Sequence, residues 1–396
     1  MKYAIIIPDG APEEPLEALD GRTPLQAASL PALDSLALRG RLGTTSTAAG
    51  GDFPTQAAAH LAVLGYAPER YQVGEGALTA FARGFDVGAE DQVLCCNLVT
   101  VIDDVLRDPT AGFISPTEAT RLIELLNHAF GGDGFRFRAC NGYRNVCIWE
   151  NGGAPGKLRT TPPERVLNQL AKRHMPVGSD SRPLYALMLR AEALLRDDDV
   201  NVVRRDLGEN PATAIWLWGQ GPLPVLPSFH KLYGIRGGLV AGSDVVRGIG
   251  RLVGWEVLDA PGAAALPETD YASKGRTAVA AVDSLDLVCV HVQAPQMFGM
   301  LGNSSGKINA LEAIDREIVA PLVERLEQEP AWRMLVIPPR PSGVGQGRDL
   351  EAHTVFVLAG SGIDSNRGEA FDEENAAAGE LHPDRAHDLM EYFLRR

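Results

Sequence analysis

Residues 2–10 read KYAIIIPDG, and this stretch decides the fold. Tyr3–Ile7 is a short apolar run without alternation, stopped by Pro8-Asp9-Gly10. An unbroken apolar run bounded by turn residues is the pattern of a strand buried on both faces. In open α/β sheets the loops at the carboxyl ends of such strands hold the chemistry. Asp9 therefore sits where a catalytic or ligand-holding carboxylate belongs, although an Asp after a strand also caps turns.

Working outward, similar runs recur at Ala214–Trp218, Gly238–Ala241, Leu285–Val292, Arg333–Ile337 and Thr354–Leu358. Helical patterns lie between several of them, such as Asn309–Leu326, which Pro321 kinks or splits. Strands alternating with helices imply an α/β fold, a mostly parallel sheet with helices on both faces. The stretch from Cys95 to Arg196 differs. It opens with a strand-like run, Leu94–Val101, and then shows a helix start with Ser115 as N-cap, Pro116 at N1 and Glu118 at N3. Gly131-Gly132 marks the far end of that helix, and Phe135–Phe137 and Asn145–Trp149 read as strands. Asn151–Gly156 is loop-rich and Asp197-Asp198-Asp199 reads as a solvated charge run. This predicts a core domain of residues 1–93 and 197–396, interrupted by a smaller α+β domain of residues 94–196.

The 396 residues exceed one ordinary domain, which supports that division. A net charge of −14 repels phosphate backbones, which argues against nucleic-acid binding. A small anionic ligand would need a local positive pocket against that field. The five cysteines are odd in number and match no zinc spacing, so they read as reduced, mostly buried thiols. The apolar N-terminal run is too short for a signal peptide, and no segment reaches the ~18 apolar residues of a membrane span. The expectation is a cytoplasmic protein without membrane partners.

Several longer stretches add a resemblance. They are KYAIIIPDG at 2–10, GRTPLQAA at 21–28, LGYAPERY at 64–71, CNLVTV at 96–101, NPATAIWLWGQG at 210–221, GIGRL at 248–252 and DYASK at 270–274. In these the chain resembles archaeal-type cofactor-independent phosphoglycerate mutases of the alkaline phosphatase superfamily, in order and along essentially its whole length. The resemblance implies an alkaline-phosphatase-like α/β core with an inserted substrate-cap domain. It implies interconversion of 2-phosphoglycerate and 3-phosphoglycerate. A serine takes the phosphoryl group as phosphoserine, and the reoriented glycerate takes it back. Two divalent metals such as manganese activate the serine and neutralise the charge on the transferring group.

Residue by residue, much of that machinery is replaced. Asp9 matches the family's first metal carboxylate. The nucleophilic serine, counted back from Leu64-Gly65-Tyr66, falls at Gln56, and the Asp after it at Ala57. Thr55 offers a neighbouring hydroxyl, but a β-branched Thr without activation is a poor nucleophile. His60 stands at the position of a family Asn and suits a general base. After the strand ending Val290-His291-Val292, the family's Asp and His fall at Gln296 and Met300. A further Asp-His pair falls at Pro339 and Arg340, where a guanidinium replaces a cation and forks onto a phosphate or carboxylate. The last metal His falls at Asp349, with His353 near enough only if the loop is re-spaced.

Of the family's substrate-binding bases, Arg144 and Lys274 are kept and Arg247 stands for a lysine. Phe113 replaces a histidine and Glu75 an arginine. Three functions follow as expectations. The first is a member without mutase activity, binding no metal and serving to hold a small phosphorylated or carboxylate ligand, an active relative or another protein. The second is an active mutase or phosphatase with rearranged residues Asp9, Thr55, His60 and His353. The third is a metal-free enzyme for a small anionic substrate using His60, Arg340 and Lys274.

Overall fold

The computed structural model describes residues 1–48, 55–152, 158–344, 353–366 and 368–395. Asp349 and part of the Asn151–Gly156 loop lie outside the described residues. The chain forms two compact units, Met1–Tyr71 with Val225–Arg396, and Gln72–Pro224.

The strands in chain order are β1 (Lys2–Pro8), β2 (Arg41–Thr45), β3 (Gln92–Ile102), β4 (Val105–Asp108), β5 (Phe135–Asn141), β6 (Arg144–Trp149), β7 (Leu158–Arg159), β8 (Val177–Gly178), β9 (Ala214–Trp218), β10 (Gly237–Val240), β11 (Glu256–Leu258), β12 (Leu287–Val292), β13 (Trp332–Val336) and β14 (Thr354–Gly360). The first unit is built on a seven-stranded sheet ordered β11-β10-β12-β1-β13-β14-β2. From β11 to β13 all neighbours are parallel. Only β14 runs against the rest, pairing antiparallel with β13 on one side and β2 on the other. The mostly parallel α/β sheet expected from the sequence is therefore the one observed.

β1 shows why its sequence does not alternate. Ala4 and Ile6 join one apolar cluster with Val288, Val290, Met334 and Val336. Ile5 and Ile7 point to the opposite face and are buried just as deeply. Both faces being covered, every position is apolar. The helix expected around Asn309–Leu326 is Ser304–Ile314 followed by a π-turn, Asp315–Val319, and a last helix Ala320–Leu326. Pro321 lacks an N–H and crowds the carbonyl four residues back, at Glu317. The wider π-turn absorbs that conflict. Gly275 lies against the same carbonyl, where a Cβ would come within 1.9 Å of Glu317 O.

The outer edge of β2 is not bare. Gly43 forms a parallel bridge with Leu381. Thr44 Oγ1 meets His382 Nδ1 at 2.9 Å, and Thr45 Oγ1 donates to Pro383 O at 2.8 Å. Ala386 N donates to Ser46 O at 2.8 Å.

The second unit is an antiparallel sheet in which β3 pairs with β4, β6 and β9, and β5 pairs with β6. The sequence assigned Ala214–Trp218 to the large sheet. That is corrected here, because Ala214–Trp218 pairs with Val99–Cys95. All its residues are buried, so its apolar run could not reveal which sheet it joined. The helix Pro116–Phe130 starts with the expected capping box of Ser115 and Glu118. Asp198, read as part of a solvated run, caps the helix Asp199–Asp206 by accepting from Val200 N. No described helix is long and apolar enough to cross a membrane.

Candidate metal centre

Asp9 lies just beyond the carboxyl end of β1, and its N–H donates to Val292 O at the end of β12. Its own carbonyl accepts from Gln296 N at 2.9 Å. Gly10 has φ of +75°, and a Cβ there would sit 2.6 Å from Gln296 Cα. Only glycine allows this close crossing of the two loops. The parallel register sets Ile7 beside His291, so His291 shares the face of Ile5 and Ile7. His60 comes from the buried side of the helix Gln56–Val63.

These placements bring Asp9, His60 and His291 together, each no more than 1% exposed. One ligand-type atom from each lies within 4.8 Å of the others. Asp9 Oδ2 is 3.6 Å from His291 Nε2 and 4.0 Å from His60 Nε2. Those spacings are too long for hydrogen bonds. The imidazole rings meet edge to face with centroids 5.0 Å apart. His60 Nδ1 lies 2.8 Å from Gln56 O. A carbonyl only accepts, so Nδ1 carries the proton and the neutral ring turns its Nε2 lone pair toward Asp9. Asp9 Oδ1, His60 Nε2 and both nitrogens of His291 are buried without a hydrogen-bond partner. Most buried polar atoms are paired, so such a concentration of unpaired ones points to a bound species.

The electrostatics agree. Burial opposes ionisation of Asp9. The Arg340 guanidinium is the chief opposing influence, and the carboxyl is held well below the usual carboxylate range. Burial pushes His60 down to about 3, against the opposing pull of Asp9. Burial lowers His291 as well. At neutral pH the cluster is an ionised carboxylate facing two neutral imidazoles, the protonation state that a metal requires. The expectation that no metal binds is thus corrected. A carboxylate and two imidazoles converge in the interior, and they fit a divalent cation. His291, the one polar residue in the strand LVCVHV, is not a position that the resemblance marks as a ligand.

The other anticipated residues are distributed more widely. Arg340 joins the cluster, its Nε 3.6 Å from Asp9 Oδ1. Gln56 is also present, its Nε2 3.5 Å from Asp9 Oδ2. Thr55 is exposed, and its hydroxyl caps the helix by accepting from Ala58 N. His353 is exposed just before β14 and is not in the cluster. Lys274 is fully buried and lies behind the site, its ammonium donating to His291 O and Ala264 O. Burial pushes it down to about 8. Arg247 is half-buried, with Ala241 O and Asp259 as partners. Arg144 belongs to the second unit, where its guanidinium covers the Tyr143 ring at 4.8 Å.

The fold is an open, mostly parallel α/β sheet with a carboxylate–imidazole cluster at the carboxyl ends of its strands, of a kind that could hold a metal ion. Comparison with known proteins narrows this. Residues 37–201 match the family model described as 2,3-bisphosphoglycerate-independent phosphoglycerate mutase. The mutase of that name from Methanothrix thermoacetophila is 36% identical over 399 residues, covering all of both chains. One from Methanothermobacter thermautotrophicus is 37% identical over 395 residues, covering all of this chain and 97% of the relative. A solved protein from Pyrococcus horikoshii shares the fold with a TM-score of 0.77 at 22% identity, over 99% of this chain and 97% of its own. The chain belongs to the 2,3-bisphosphoglycerate-independent phosphoglycerate mutase family.

Proposed function

We propose that this family member does not carry out mutase turnover and serves instead to hold a small phosphorylated or carboxylate ligand. The observation that carries this reading is the N-terminus of the helix Gln56–Val63. A buried amide, Gln56, reaches toward Asp9 where a serine nucleophile would be needed. An amide forms no phosphoester. The neighbouring hydroxyl of Thr55 is exposed and engaged as a helix cap. The ligand class is supported by the positive groups of the site, since Arg340 presents a planar fork suited to anions and a bound cation would add a second contact.

The test joins turnover to binding. Protein loaded with manganese or zinc is assayed with 3-phosphoglycerate, and intact-mass spectrometry looks for a phosphoryl adduct. No turnover and no adduct are expected, together with a rise in thermal midpoint for at least one small phosphate or carboxylate. Phosphoglycerate turnover would overturn the reading, and its loss in Thr55→Ala would name Thr55 as the nucleophile.

A further inference from the structure

We infer that the cluster binds one divalent cation per chain through Asp9, His60 and His291, with zinc-like preference, and that Arg340 is the fixed second positive charge.

The spacing favours a single small cation. Ligand atoms ~2.0–2.2 Å from a tetrahedral zinc lie roughly 3.3–3.5 Å apart. The observed 3.6 and 4.0 Å from Asp9 Oδ2 to the two imidazoles need only slight contraction. The second observation is the tautomer. His60 gives its Nδ1 proton to Gln56 O, so its lone pair and the Asp9 carboxylate face each other as two acceptors. A cation between them satisfies both. An imidazole that donates one N–H to a backbone carbonyl and turns the other nitrogen inward is the usual arrangement of a metal-bound histidine.

The count of one follows from how the carboxylate is shared. Its Oδ2 faces the imidazoles while Oδ1 faces Arg340 Nε at 3.6 Å. The guanidinium occupies the side from which a second ion would approach, and it cannot be deprotonated. Among the described residues no other group of three His, Cys, Asp or Glu side chains converges in this way. The identity follows from donor type. Two neutral imidazoles and one carboxylate suit zinc, cobalt or nickel, whereas manganese and magnesium favour oxygen-rich sets.

This assignment uses the same site as the ligand-holding reading but does not depend on the absence of phosphoserine. Full-length protein is stripped with a chelator, loaded with zinc, cobalt or manganese singly, desalted and analysed for metal by mass spectrometry. One zinc or cobalt per chain is expected, with manganese bound at least tenfold more weakly. His60→Gln and His291→Gln should each weaken zinc at least tenfold. Arg340→Met should keep one zinc and bind it more tightly. X-ray absorption of zinc-loaded wild type should count two imidazole ligands, which decides the matter even where a variant does not fold. Two ions per chain, no retained ion, a preference for manganese, or zinc without imidazole ligands would overturn the assignment. Phosphoglycerate turnover by the loaded protein would remove the phosphotransfer-free reading and leave this one standing.

Discussion

Glu13–Lys307 and Asp9–His60–His291 both place ionisable groups where solvent has almost no access, and Asp9 and Glu13 lie only four residues apart in the chain. The first is closed. Lys307 Nζ donates to Ser342 O at 2.7 Å, Glu13 Oε2 at 3.1 Å and Pro12 O at 3.4 Å. Glu13 Oε2 also accepts from Val344 N at 2.7 Å, and Oε1 from Glu14 N at 3.2 Å. The second is open, with Asp9 Oδ1, His60 Nε2 and both His291 nitrogens lacking hydrogen bonds. The closed pair ties the loop after β1 to the loop after β13, the loop that carries Arg340. Buried charge that is fully bonded serves the fold, whereas buried acceptors left over are prepared for something else.

That contrast is broken most severely at the closed pair. Lys307→Met leaves the Glu13 carboxylate buried and unpaired, and should cost about 3–5 kcal/mol in urea unfolding. Adding Glu13→Leu should recover much of the loss, since an apolar pair demands no partner. If the single variant is neutral, the pair is not the lock described.

The open cluster should reveal itself next, through pH. His60 titrates near 3 in the folded chain against about 6.5 when unfolded. Between those values the unfolded chain binds more protons, so stability rises with pH and falls on acidification. The expected slope for metal-free protein is roughly 1 kcal/mol per pH unit from each histidine inside its window. The lowered carboxyl of Asp9 adds loss only below about pH 4, the range in which an unfolded Asp takes up its proton. Unfolding at pH 7 and pH 5 measures this, and a flat response would show that the histidines are not held neutral.

Thr55→Ala should cost about 1 kcal/mol through loss of the helix cap. The smallest effect is expected for His291→Leu in the metal-free protein, within about 1 kcal/mol, because the ring nitrogens removed have no hydrogen-bond partners. The same variant should abolish the stabilisation that zinc gives to wild type, and a large metal-free loss would mean that His291 is structural.

The parallel sheet was legible because KYAIIIPDG and its counterparts carry the signature of strands covered on both faces. The same signature misled at Ala214–Trp218, since a buried strand of an antiparallel sheet reads identically. Pro321 announced a break, but not that a π-turn would accommodate it. In the site, Asp9 was visible from its place after β1, and His60 and Arg340 from their chemistry. His291 was hidden because its meaning depends on register. Only the pairing of Ile7 with His291 brings that imidazole to the Asp9 side of the sheet. Asp198 was hidden in another way, since a capping aspartate and a solvated one look alike until the helix beyond is recognised.

The strip of chain laid along β2 has a consequence for how the molecule behaves in company. A sheet margin with unclaimed amides and carbonyls is an adhesive surface, open to a strand from any neighbouring molecule. Here the margin is hemmed by Leu381–Ala386, and Gly43 is the stitch: a Cβ there would lie 1.8 Å from Leu381 O. Any bulkier residue at position 43 would lift the hem, and the first sign would be clumping of otherwise folded protein rather than any change at the metal centre.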